Sequence, residues 1–189
     1  YKEDVPTPRQ RGESTIAYNG EIYNWLELRE ALEAKGHRFE TPTDTEVALC
    51  AYLEWGPACL DRFNGMFAIA IWHDDKLFLA RDRLGKKPLF YTHSSVGIGF
   101  ASELKALRDL NFAEVPICQA LEFYFDSYTP FSGVKSLRGG EYLVYDANSN
   151  EASVHRWWSF PEPSSEITDD AKAIDGFIDL FSDACRIRK

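Results

Sequence analysis

The stretch that most constrains the fold is Met66-Phe67-Ala68-Ile69-Ala70-Ile71-Trp72. It is apolar without a break, large at Phe67, Ile69 and Ile71 and small at Ala68 and Ala70. Alternate residues of a strand face opposite sides, so both faces of this one must be covered. Such a strand belongs to a sheet packed between other layers. His73-Asp74-Asp75 then turns the chain, and Lys76–Arg81 returns as an antiparallel partner. Leu89–Thr92 with Val96–Ala101 reads as a second hairpin around Ser94-Ser95. Glu141–Asp146 with Ala152–Trp158 reads as a third, around Asn148-Ser149-Asn150.

Helices are expected on either side of this strand-rich region. Asn24-x-x-Glu27 has the form of a capping box, and Trp25, Leu28 and Leu32 recur at helical spacing up to Gly36, predicting a helix over 25–35. Thr43-x-x-Glu46 repeats the box ahead of Val47, Ala48, Ala51 and Tyr52, with Gly56-Pro57 as the stop. That places Asp44 in the first turn of a helix, where the dipole favours a carboxylate. Glu103–Leu110 and Ile117–Phe125 read as further short helices. Residues 1–13 are polar with two prolines and read as an exposed loop. Ser14–Tyr18 is a short strand leading to Asn19-Gly20, a pair that on its own is the usual mark of a hairpin turn.

With 189 residues, 44% of them hydrophobic, the chain can bury one core of ordinary size and part of a second domain. The run from Phe160 to Glu166 has the Pro/Ser composition of a linker. The helix expected over Ala171–Arg188 carries Ile174, Phe177, Ile178, Phe181 and Ala184 on one face. The expected organisation is therefore a domain over 1–160, a linker over 161–170 and, at 171–189, the first helix of a second domain. A formal charge of −9, from 21 basic and 30 acidic residues, argues against nucleic acid or an anionic membrane as partner. No apolar run approaches the ~20 residues that span a bilayer, and no signal peptide opens the chain. The four cysteines form no C-x-x-C pair, which suits a reducing cytoplasm. His37, His73, His93 and His155 lack ligand-like spacing, so no metal site is expected. The charged run Arg81-Asp82-Arg83-Leu84-Gly85-Lys86-Lys87-Pro88-Leu89 has no glycine-rich phosphate cradle and reads as a loop held by a structural Arg–Asp pair.

Taken in order, YNGEIYN, TDTEV, FNGMFAIAIW, RDRLGKKPLFY and ASELKAL resemble the glutaminase domain of glutamine-hydrolysing asparagine synthetases, which are class II glutamine amidotransferases. The resemblance runs from about Thr15 to about Trp158. It implies an α+β fold of the N-terminal-nucleophile hydrolase type, a four-layer αββα sandwich of two antiparallel sheets. It implies that the Asn19 carboxamide and the Gly20 N–H form an oxyanion hole, that Glu21 helps seat glutamine, and that Asp44 pairs with the substrate's α-ammonium. Ammonia would pass to a C-terminal synthetase domain that uses ATP and Mg2+, with no cofactor in the present chain. Aspartate is the default acceptor, with a sugar acid or another carboxylate as the alternative, and the resemblance leaves room for a homodimer.

Four departures from the family's pattern are visible. The family's nucleophile is an N-terminal cysteine whose own α-amine is the base. This chain opens on Tyr1, none of its cysteines is terminal, and residues 1–14 hold no match to the arginine that binds the glutamine carboxylate. By itself the chain is expected to be inert. Either the true N-terminal segment lies outside it, or the protein is a relative without glutaminase activity, a scaffold like that of β-lactam-forming enzymes. Retention of Asn19, Gly20 and Asp44 favours the first. In addition, residues 128–135 are shorter than the family's link, predicting residues missing beside Pro130 or Phe131, and the usual Pro-Pro-Gly reads Arg138-Gly139-Gly140.

Overall fold

In a computed structural model, which describes residues 8–110, 129, 131, 133–162 and 169–188, the doubly apolar strand runs from Gly65 to His73. In chain order the elements before it are β1 (Arg9–Arg11), β2 (Ser14–Ile22), α1 (Trp25–Glu33), α2 (Asp44–Trp55) and α3 (Cys59–Arg62). After β3 (Gly65–His73) come β4 (Lys76–Arg81), β5 (Phe90–Ser94), β6 (Gly97–Ala101) and a 3-10 segment at Leu104–Leu110. β7 (Val134–Ser136), β8 (Glu141–Asp146), β9 (Glu151–Arg156) and α4 (Asp170–Arg186) are the remaining elements among the described residues. The residues cluster into two units, 1–158 and 159–189.

The first unit is built on two antiparallel sheets. One has six strands in the order β1-β2-β3-β4-β8-β9, the other three in the order β6-β5-β7. The two-sided pattern of β3 sorts the layers as its residue sizes require. Phe67, Ile69 and Ile71 join Leu28, Leu32, Val47 and Leu49 of α1 and α2 in one core cluster. Ala68 and Ala70 face the other way, into a cluster with Leu89 and with Tyr91 of the three-stranded sheet. Phe67, Ile69 and Ile71 are at most 1% exposed, and burying each such side chain stabilises the fold by about 1.5–3 kcal/mol. The result is an α+β sandwich with a helical layer, a central sheet and a second sheet. The helix expected at Ile117–Phe125 lies outside the described residues.

Several local expectations are corrected. Arg9–Arg11 is a strand rather than loop, paired with Ser14–Ile16. It is held from outside: Glu46 lies 3.6 Å from the Arg9 guanidinium and 3.3 Å from that of Arg11. Asn24 precedes α1 without capping it. Its side chain instead reaches across to the backbone, donating to the Arg62 carbonyl (3.0 Å) and accepting from the Asn64 N–H (3.0 Å). Thr43 does cap α2, accepting from the Glu46 N–H (3.4 Å). Glu46 does not reach back to Thr43, because its carboxylate takes the Glu40 and Thr41 amides.

The charged loop after β4 is structural, but not through an Arg–Asp pair. Asp82, 2% exposed, accepts four backbone N–H groups: those of Phe67 (3.1 Å), Leu84 (3.1 Å), Lys86 (3.0 Å) and Lys87 (3.0 Å). Arg81 donates to the carbonyls of Lys87, Leu137 and Gly85. Where Pro-Pro-Gly was expected, Gly139 packs so closely on this loop that a Cβ would come within 2.6 Å of the Gly85 nitrogen. In the short link to β7, Thr129 Oγ1 donates to the Val134 carbonyl (2.8 Å), while Pro130 lies outside the described residues.

In the second unit, α4 is capped by Asp169, which accepts from the Ala171 N–H. Ile174, Phe177, Ile178 and Phe181 are each more than half exposed along it. No helix among the described residues is long and apolar enough to cross a membrane.

Candidate active site

Asn19-Gly20 is not a turn. β2 continues through it to Ile22, with Asn19 opposite Ala68, Gly20 opposite Phe67 and Ile22 opposite Gly65. The glycine is demanded first by packing: a Cβ at Gly20 would overlap the Met66 carbonyl and come within 2.6 Å of the Phe67 Cα. Its φ of +155° also belongs to the range L side chains rarely adopt.

The direction of the Gly20 N–H follows from its partner. Phe67 donates its N–H to Asp82 Oδ2 (3.1 Å) and accepts from the Asp82 N–H (2.9 Å), so both its backbone groups face away from β2. Gly20 and Phe67 are therefore a non-hydrogen-bonded pair, and the Gly20 N–H points off the sheet on the side away from β3. Two residues on, the Ile22 N–H points the same way and donates to Asp44 Oδ2 (3.0 Å). Among the described residues, β1 pairs with 14–16 of this edge.

Asp44 reaches that edge from the first turn of α2 and is 5% exposed. The same Oδ2 accepts from the Tyr18 hydroxyl (2.9 Å). Burial first, and then the adjacent Asp44 carboxylate, push the Tyr18 phenol well up, so at neutral pH it is a donor. A buried carboxylate needs such donors in place of the water it has lost.

Strand alternation sends Asn19 to the opposite face, between the sheets. There its Nδ2 donates to Ser102 Oγ (3.2 Å), just past β6. Asn19 and Ser102 line a cavity of about 290 Å3 with Ala17, Ala68, Ala70 and Phe100. The small side chains of β2 and β3 leave that space. Glu21 follows on the Asn19 face of β2, opposite Met66.

The structure thus gathers Asn19, Gly20, Glu21 and Asp44 around one end of β2. Sequence reasoning missed Tyr18, although strand alternation from Gly20 places it on the Asp44 side. It also missed Ser102, whose contact with Asn19 spans 83 residues and has no local signal. Among the described residues, the buried Cys50 and Cys59 are poor nucleophiles, since burial pushes their thiols up to about 11 and about 12. Among the described residues no group of three or more His, Cys, Asp or Glu could hold a metal ion.

Comparison with known proteins identifies the family. A model of the glutamine amidotransferase domain family matches residues 2–158. Glutamine-hydrolyzing asparagine synthetase 3 of Bacillus subtilis (strain 168) is 40% identical over 182 residues, covering 90% of this chain and 29% of that protein. A putative glutamine-hydrolyzing asparagine synthetase 2 of Methanocaldococcus jannaschii is 36% identical over 189 residues, covering 94% of this chain and 36% of that protein. The chain therefore spans about a third of the length of these relatives. Among solved structures, the glutamine phosphoribosylpyrophosphate amidotransferase of B. subtilis complexed with ADP and GMP superimposes with a TM-score of 0.58 at 20% identity, over 80% of this chain and 31% of that one. That likeness shows a shared fold. With the family model spanning all of the first unit but Tyr1, the chain belongs to the class II glutamine amidotransferase domain family.

Proposed function

We propose that this chain is the glutamine-hydrolysing part of a longer enzyme that passes ammonia to an ATP-dependent amidation. One observation carries the reading: the Gly20 N–H and the Asp44 carboxylate lie on the same outer side of β2, while the Asn19 carboxamide borders a largely apolar cavity one residue away. A thiolate attacking the glutamine carboxamide moves an electron pair onto its oxygen. Donors held in place by a strand stabilise that oxyanion without reorganising, each by about 3–4 kcal/mol. Asn19 and Gly20 are the proposed donors. Asp44 is the proposed partner of the α-ammonium, and Glu21 helps seat the substrate. Collapse of the tetrahedral intermediate expels ammonia and leaves a thioester, which water hydrolyses to glutamate. The nucleophile is proposed to be a cysteine upstream of Tyr1, with its own α-amine as base.

The names of the relatives support aspartate as acceptor. ATP and Mg2+ are proposed to act in a downstream synthetase domain, as the resemblance to glutamine-hydrolysing asparagine synthetases implies. In this reading 1–160 is the amidotransferase domain, 161–170 the linker, and 171–189 the first helix of the synthetase domain. The exposed apolar stripe of α4 supports that last assignment. Free buried Cys50 and Cys59 suit a cytoplasmic setting.

The test is steady-state kinetics of the full-length protein. Asn19→Ala should lower glutamate release about 10²-fold or more, the loss of one oxyanion donor, while amidation fed by ammonium persists. Asp44→Asn should raise KM for glutamine about 10-fold or more, on the scale of a charge-assisted hydrogen bond. Equal loss with both nitrogen sources would reduce Asn19 to a structural residue, and an unchanged KM would do the same for Asp44.

A further inference from the structure

We propose that Ser102 is a positioning residue for the glutaminase step, acting through the Asn19 side chain. The inference rests on the reading of Asn19 as an oxyanion donor. A primary amide can turn about its last torsion, which is broad and nearly two-fold, so a strand position alone does not decide whether nitrogen or oxygen faces a substrate. Ser102 Oγ accepts one N–H of Asn19 Nδ2 at 3.2 Å. The amide group is planar, so committing one hydrogen fixes the line of the other.

The two partners come from different sheets. Asn19 is set by the pairing of β2 with β3, opposite Ala68. Ser102 directly follows β6, whose last residue Ala101 pairs with Phe90. The amide plane is therefore referenced to the packing of one sheet on the other, across the cavity that both residues line. Leu89, Phe100 and the alanines make most of that lining apolar, so few groups compete for the amide hydrogens. A hydroxyl suits the task, since it accepts from Asn19 while its own hydrogen turns elsewhere.

The experiment is glutamate release by the full-length protein carrying Ser102→Ala, alone and combined with Asn19→Ala. Losing one neutral hydrogen bond predicts a kcat about 5- to 10-fold lower with KM for glutamine unchanged. In the Asn19→Ala background, Ser102→Ala should have no further effect, because the group it positions is gone. A kcat within 2-fold of wild type, a change confined to KM, or full additivity in the double variant would each overturn the proposal. Those outcomes differ from failure of the underlying reading, in which the wild-type protein releases no glutamate or Asn19→Ala leaves release intact, and both inferences fall together.

Discussion

Replacing Asp82 by asparagine tests whether the charged loop 81–89 is a backbone clamp. Each carboxylate oxygen of Asp82 accepts two amides: Oδ1 those of Leu84 and Lys86, and Oδ2 those of Phe67 and Lys87. An asparagine keeps one oxygen. Whichever way its amide is turned, an NH2 group faces two N–H donors in a site where the side chain is 2% exposed. A hydrogen bond to a charged acceptor contributes about 1.5–3 kcal/mol, so two lost bonds amount to about 3–6 kcal/mol. Local relaxation favours the lower figure. About 3 kcal/mol off the opening free energy of the loop speeds amide exchange about 10²-fold. The assay is hydrogen exchange with mass-spectrometric detection on the full-length protein, following peptides that cover 82–90. Exchange there should rise by that factor while peptides covering 44–55 in α2 change little. Asp82→Asn with loop exchange within 2-fold of wild type would refute the clamp. The same loop delivers Leu89 to the cavity beside Asn19, so loosening it should also lower glutamate release.

Two further outcomes are expected. Gly20→Ala forces a Cβ into the Met66 carbonyl and should cost about 3 kcal/mol by overpacking. For a domain of this size that is a fall of about 6–12 °C in melting temperature, and a fall under 2 °C would show that β2 and β3 do not approach so closely. Burial alone would raise the Glu46 carboxyl, but the Glu40 and Thr41 amides, the Thr41 hydroxyl and Arg9 outweigh it and hold it below the usual carboxylate range. Its contribution is therefore fully present above the unfolded value of about 4.3 and is lost as pH falls through the lower folded value. Wild type should melt above Glu46→Gln at pH 7, and the gap should close as pH drops below about 4; a gap that stays constant would remove Glu46 as the anchor of β1.

Much of the framework was legible in the sequence because it is written in local patterns. The size alternation along Phe67–Ile71 decided that the central sheet has a bulky side and a close side, and the helices and the second sheet took those sides accordingly. Thr43, two residues short of the TEV run, marked the start of α2 and so placed Asp44 in its first turn. The order of the five motifs nominated Asn19, Gly20, Glu21 and Asp44. Tertiary structure decided what those residues touch. An Asn-Gly pair permits a tight turn or an extended strand alike, and it is the backbone of β3, more than 40 residues away, that holds Gly20 extended and leaves it no room for a side chain. The Arg9–Arg11 strand has no periodicity to read, since three residues form a strand only where Ser14–Ile16 and Glu46 receive them. Asp82 looked like half of an ion pair until folding brought four amides to it. Tyr18 and Ser102 acquire their contacts with Asp44 and Asn19 across 26 and 83 residues, and contacts at such separations are set by how layers pack, which no local pattern records.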